Sequence, residues 1–307
     1  MEFLKPSAVR YIKLGPGGAW LDRCLAEGLI ELGYSAVPHD TAAAGAWHLA
    51  EEALVADGRS AGKAKSFIRE VRDFYTQGND CLWITIGQGR LWWAFADSTV
   101  FPLTGPDRGA RQRRTVGGWS DRSLTGERLD LARLSTRLTK VAAYQQTICQ
   151  VSEPEYLLRR LNGVEDPRVS RGHAAAQALT AAAHELIQAL DWRDFELMVD
   201  LIFAASGWRR QSAVGGSDQA DSDLILEQAV TGERAFVQVK SAANVAVLRD
   251  YLERFAASGL DRMFFVCHSP KGQLQTEQSG VHVWLGETLA EQAIKAGLFA
   301  WLIEKVR

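Results

Sequence analysis

The sequence predicts an α/β protein in two parts: an amino-terminal half of α+β character and a carboxy-terminal half built as one mixed sheet flanked by helices. Three observations carry this. The second half reads in the order α, β, β, α, β, β, α, with apolar strands set between amphipathic helices. The first half turns to strands after residue 80, around a Gln88-Gly89 turn. Between them, Ser152–His173 carries Pro154, Asp166-Pro167 and several charges, as a boundary segment does. The reading is residues 1–150 as one domain, 151–172 as a linker and 173–307 as the second domain.

The elements follow in order. VRYIKLG (8–14) reads as a strand and GPGG after it as a turn, and Leu21, Cys24, Leu25, Leu29 and Leu32 then fall on one helical face that Gly33 ends. A strand is expected over Gly33–Pro38, and a helical stretch over Ala43–Tyr75, broken near Gly58–Gly62. CLWITIG (81–87) and RLWWAFA (90–96) form a hairpin, and RRTVGGWS (113–120) a further strand. Apolar steps through Leu131, Leu134, Leu138 and Val141 predict a helix over Leu129–Tyr144. The second half opens with an Ala-rich helix to Leu190 and a second helix, WRDFELMVDLIFAASG, ending at Gly207. SDLILEQAV (222–230) and RAFVQVKS (234–241) make a hairpin, NVAVLRDYLERFAASG a helix, RMFFVCH and VHVWLG strands, and Glu287–Val306 a final helix.

Composition narrows the function. With 47% hydrophobic and 23% charged residues the 307-residue chain reads as globular and soluble. Lys plus Arg number 35 and Asp plus Glu 37, so the net charge of −2 excludes a uniformly basic coat but not a local basic face. The four cysteines stand far apart without a CxxC pair, against structural zinc or a disulfide framework. Neither an export leader nor an 18-residue apolar run is present, so a cytoplasmic protein without membrane contact is expected.

The informative constellation is Asp223 on the first strand of the second-half hairpin, Gln238-Val239-Lys240 on its second strand, and Glu196 in the preceding helix. Strand alternation puts Gln238 and Lys240 on one face. A carboxylate, an amide oxygen and the Val239 carbonyl are hard donors for a divalent cation, and an ammonium beside them aligns an attacking water or offsets charge on a phosphate. Asp221 is the alternative carboxylate. The runs DFELMVDLIFAASGW, GGSDQADSDLIL and FVQVKS, in that order, resemble the PD-(D/E)xK nuclease superfamily, and most closely the Mrr-like restriction endonucleases in which Gln replaces an acid. The resemblance covers residues 190–285. It implies a restriction-endonuclease-like fold and a metal-dependent phosphodiesterase, using Mg²⁺ or alternatively Mn²⁺, with Asp223, Gln238 and Lys240 at its centre and Glu196 as a further catalytic candidate.

In the first half, residues 105–140 hold nine Lys or Arg against four acids, a patch able to track phosphates, with Arg111, Arg113 and Arg114 as candidate DNA contacts. Tryptophans are dense nearby. FYTQGNDCLWITIGQGRLWWAFAD followed by RTVGGW resembles PUA-like modules of the EVE type, in which an aromatic cage accepts an altered base. Trp83, Trp93 and Trp119 are the candidate cage residues. Gly15-Pro16-Gly17-Gly18 lacks the Gly-Lys-Ser/Thr of a P-loop, and Trp20 stands at the third glycine position of a dinucleotide fingerprint, so the loop reads as a turn. His268 reads as a strand-end residue rather than a base.

The expectation is an endonuclease cutting double-stranded DNA that is modified or foreign, acting as a homodimer because one chain carries one cluster and a duplex two antiparallel strands. The alternative is a defence effector or DNA-binding protein whose nuclease-like domain answers to a ligand or partner.

Overall fold

The computed structural model describes residues 3–105, 107–211 and 224–307, and the chain divides into two compact units, Met1–Asp166 and Pro167–Arg307.

The first unit starts with β1 (Ala8–Ile12), α1 (Leu21–Glu27) and β2 (Leu29–Leu32), then α2 (His39–Ala43), α3 (Trp47–Ala56) and α4 (Ala61–Thr76). The hairpin follows as β3 (Cys81–Gly87) and β4 (Arg90–Ala96), then β5 (Phe101–Pro102), β6 (Arg111–Ser120), the one-turn α5 (Thr136–Thr139), β7 (Ile148–Gln150) and α6 (Pro154–Asn162). Seven strands form one sheet in the order β2-β6-β4-β3-β1-β7, with β5 also on β6. Among the described residues of this sheet only β1 and β3 run parallel; the other pairs are antiparallel. Alternation splits the strands between two cores. Ile12, Cys81 and Trp83 join Ala50, Ile68 and Phe74 on one face, while Tyr11, Leu82, Ile84 and Leu91 join Leu138, Leu157 and Leu161 on the other.

Three stretches differ from expectation. The first helix stops at Gly28, whose left-handed φ of 66° closes it on the Cys24 carbonyl, so Leu29–Leu32 are the strand β2 and Gly33–Pro38 are not one. All four residues of β2 are buried, which hides the two-residue alternation from view. Leu129–Tyr144 is not one helix but short turns about α5: Leu129 and Leu131 pair with Leu91 and Gly89 at the hairpin, and only then does Ser135 cap α5 through the Arg137 amide. Residues 151–172, expected as a linker, carry α6, whose Leu157 and Leu161 belong to the first unit's core, and the start of the next helix.

The second unit comprises α7 (Pro167–Gln188), α8 (Trp192–Ala205), β8 (Trp208–Arg210), β9 (Leu224–Gln228), β10 (Arg234–Asn244), α9 (Val245–Ser258), β11 (Arg262–Lys271), β12 (Val281–Leu285), α10 (Gly286–Lys295) and α11 (Phe299–Val306). Its five-stranded sheet runs β12-β11-β10-β9-β8. β8, β9 and β10 form an antiparallel meander, after which α9 carries the chain over to β11, parallel to β10; β12 is parallel to β11. The mixed sheet flanked by helices thus stands as expected, although the last helix is two, parted at Gly297. One face packs on α7, α8, α10 and α11 through Val237, Val239 and Val266; the other packs on α9 through Phe236, Phe265 and Tyr251. Asp191 and Asn244 cap α8 and α9 through the Arg193 and Val247 amides.

Candidate active site

β10 is the central strand of its sheet, and its run from Ala235 to Val239 is buried. Ala235, Val237 and Val239 pack toward α8, so Phe236, Gln238 and Lys240 share the face toward α9, as alternation requires. Gln238 is fully buried, and its Nε2 donates to the Val239 carbonyl at 3.3 Å. A buried primary amide is costly unless its polar atoms are answered, so this position marks a polar centre. Lys240 is half-buried with its ammonium 5.5 Å from the centre of the Tyr251 ring, and among the described residues no carboxylate stands within 4 Å of it. Leu224, the first described residue of β9, pairs with Val237. The chain therefore joins β9 one ladder position from Gln238, directly after Asp221 and Asp223 in sequence. Both aspartates lie outside the described residues.

Glu196, on α8, lines a cleft of about 220 Å³ with Arg193, Asp200, Arg210, Leu224 and Val239. It thus stands against the chain neighbours of Gln238 and of Asp223. Asp200 and Arg210 approach to 4.0 Å within this cleft. Neither they nor Arg193 figured in the sequence reading. The signal was available: Arg193, Glu196 and Asp200 recur at three- and four-residue steps, one stripe of α8.

His268 lies inside β11 rather than at a strand end. It is buried edge-on against Phe195, ring centres 4.7 Å apart, with Nδ1 at 2.9 Å from the Ser269 hydroxyl. Burial, reinforced by His184, holds its imidazole below its ordinary pKa.

As to a metal, the Gln238 amide oxygen and Val239 carbonyl are donors of the right hardness, but among the described residues no group of three or more His, Cys, Asp and Glu could hold an ion.

The residues named in the first unit are placed differently from expectation. Trp83 is completely buried, packed on Phe74 and under the Arg113 guanidinium, and is a core residue. Trp93 sits on the opposite face of the sheet, its Nε1 donating to the Arg122 carbonyl, so the two cannot wall one cage. Arg111 and Arg113 are buried too. Arg111 donates to the Tyr34 and Val37 carbonyls and to the Tyr75 hydroxyl; Arg113 donates to the carbonyls of Phe74, Gly78, Ala96 and Asp97. These side chains fasten loops to the sheet and are withdrawn from the surface. Arg114, by contrast, is exposed beside Phe101 and shares a shallow cleft of about 600 Å³ with Arg108 and Trp119. Trp119 is anchored there by Nε1 donating to the Leu29 carbonyl.

The mixed five-stranded sheet flanked by helices is consistent with a restriction-endonuclease-like domain. Residues 187–291 match the family model of the restriction endonuclease Mrr catalytic domain, so the carboxy-terminal domain is Mrr-like and implies a nuclease with DNA as its substrate. The match leaves out the first unit, and a PUA-like reader there is not supported. No curated protein and no solved structure matches the chain. No helix among the described residues is long and apolar enough to cross a membrane.

Proposed function

We propose that the chain is a metal-dependent restriction endonuclease that hydrolyses double-stranded DNA, with Asp223, Gln238 and Lys240 at its centre. The observation that carries this is the placement of Gln238 and Lys240 on one face of β10, at the ladder position where the chain following Asp223 enters the sheet, inside the segment that matches the family. A divalent ion bound there would polarise the scissile phosphate and acidify a water. The chain's own part is then distinct for each residue. Gln238 and the Val239 carbonyl offer neutral oxygens, an aspartate the negative charge, and Lys240, uncommitted to any described carboxylate, the positive charge that answers the phosphate. Glu196, with Asp200 and Arg193 beside it, orients groups entering the adjoining cleft. The first unit contacts DNA through Arg108 and Arg114 around Trp119, in place of a Trp83 and Trp93 cage.

Plasmid DNA, plain and modified, incubated with Mg²⁺ or Mn²⁺ tests the reading. Lys240→Ala and Asp223→Ala should each abolish cleavage while circular dichroism stays unchanged. Activity kept in Asp223→Ala but lost in Asp221→Ala would transfer the metal to Asp221. Full activity in both Lys240→Ala and the double aspartate variant would end this assignment of the site, and no cleavage by the parent protein with either metal would end the nuclease reading.

A further inference from the structure

Two adjoining clefts in the first unit meet at Tyr34, and each pairs an aromatic ring with cations. The larger, of about 500 Å³, is lined by Phe67, Arg59 and Lys63; the smaller, of about 280 Å³, by Trp20 and Lys13. Tyr34 and the segment Gln145–Thr147 belong to both. Such volumes suit small organic ligands, whose sites span about 300–1,000 Å³.

The partition between the clefts is held in place with care. Tyr34 is a non-glycine residue in the left-handed region, at φ 63°, a conformation kept only where the surroundings enforce it. Its hydroxyl donates to Glu70 Oε2 at 2.7 Å, and the same oxygen accepts from the Thr147 and Ile148 amides. Glu70 is buried and its Oε1 has no partner among the described residues. Tyr34 and Phe67 lie 4.9 Å apart ring to ring, and Arg59 stands 5.9 Å from the Phe67 ring centre. In the smaller cleft Trp20 packs on Gly15, where a Cβ would fall 2.6 Å from the indole, so a glycine at this position admits the ring. Lys13 reaches the Tyr144 carbonyl with one donor at 2.6 Å and has two more. Against Lys13, Arg59 and Lys63 stands Asp57, at 3.8 Å from Arg59.

A ring beside a cation, repeated across a tyrosine, offers in turn what a nucleotide chain presents: a flat base, then a phosphate. We infer that the paired clefts bind nucleotides, one base against Phe67 and Tyr34 with its phosphate on Arg59 and Lys63, and a neighbouring base against Trp20 with its phosphate on Lys13. Aromatic stacking accepts any base, and the cations follow the backbone. The inference does not rest on the nuclease reading.

The test uses the full-length chain in EDTA, so that cleavage plays no part. A fluorescently labelled dT12 strand is titrated by anisotropy, with dTMP and the dinucleotide pTpT as competitors. Binding of dT12 should weaken about tenfold in the Arg59→Ala, Lys63→Ala double variant, whose side chains are exposed, and its salt dependence should become shallower. Phe67→Ala should weaken it at every salt concentration, while Arg133→Ala, outside the clefts, should leave it unchanged. Competition by dTMP would make the ligand a free nucleotide; competition by pTpT or longer strands alone would make it a strand. Absence of binding by all three, or equal dT12 affinity in the parent and the double variant, overturns the inference.

Discussion

Replacing Arg113 by alanine removes a guanidinium from the middle of the first unit. Four carbonyls lose a donor. Gly78 O keeps a second one from the Cys81 amide, which leaves the carbonyls of Phe74, Ala96 and Asp97 short of the Arg113 bond, the closest at 2.6 Å. Hydrogen bonds from a charged donor contribute about 1.5–3 kcal/mol each, and the contact with the Trp83 face, 5.5 Å away, goes too. Part of this is offset, because burial already disfavours the charge and holds its pKa below the ordinary value. The net expectation is a loss of about 3–5 kcal/mol, a large share of the stability of a typical domain. Urea unfolding followed by tryptophan fluorescence measures it, since Trp83 reports on this core. Arg113→Lys should recover only part, because a lysine cannot fork toward several carbonyls at once. A change of less than about 0.5 kcal/mol, together with a fall in DNA affinity, would refute the reasoning and return Arg113 to the surface role.

Three further outcomes are expected. His268 stays neutral in the folded unit at pH values where the unfolded chain, with an ordinary pKa of 6.5, already takes a proton; stability is therefore present above that value and falls as pH drops toward the folded pKa. A scan of melting temperature between about pH 7 and pH 5 should show this slope, and His268→Gln should flatten it. Arg108→Ala with Arg114→Ala should weaken duplex binding alike for all sequences and reduce the slope of log affinity against log salt by about 2, read by filter binding; a slope equal to the parent's would remove these arginines from the DNA surface. Mixing parent protein with excess Lys240→Ala protein should accumulate nicked plasmid if two copies cut one duplex together, whereas an unchanged product ratio at lower rate would mark a chain acting alone.

The second unit was readable because its signals agree with one another. Phe236, Val237, Gln238, Val239 and Lys240 alternate around a buried strand, and two polar residues on one face of such a strand call for a chemical reason. The clefts of the first unit were not readable in the same way. Arg111 and Arg113 were counted with a basic patch because charge counting treats every arginine as exposed, yet on a strand they share a face opposite Gln112 and Arg114, and that face turns inward. The tryptophans misled for a related reason: Trp83 and Trp93 lie on paired strands, but Trp83 faces Ala94 and Trp93 faces Ile84, so the register separates what composition groups. Leu29–Leu32 satisfied helical spacing and strand pairing equally, and only Gly28 decided between them. Tyr34, Phe67 and Lys13 come together from separate segments, a proximity created by the sheet and α4 that spacing along the chain does not express.

The position of β1 also has a bearing on how the chain is made. β1 lies between β3 and β7, with α1 to α4 and β2 intervening before β3 and most of the first unit before β7. On a ribosome the first strand therefore emerges long before either flank exists; one row of its ladder groups waits in solvent for Cys81–Gly87 and the other until Ile148–Gln150 have been synthesised. Non-local closure of this kind slows folding, while the meander from β8 to β10 pairs near neighbours. Released fragments ending before residue 148 should be the species that chaperones capture, and those ending just past α6 should resist protease.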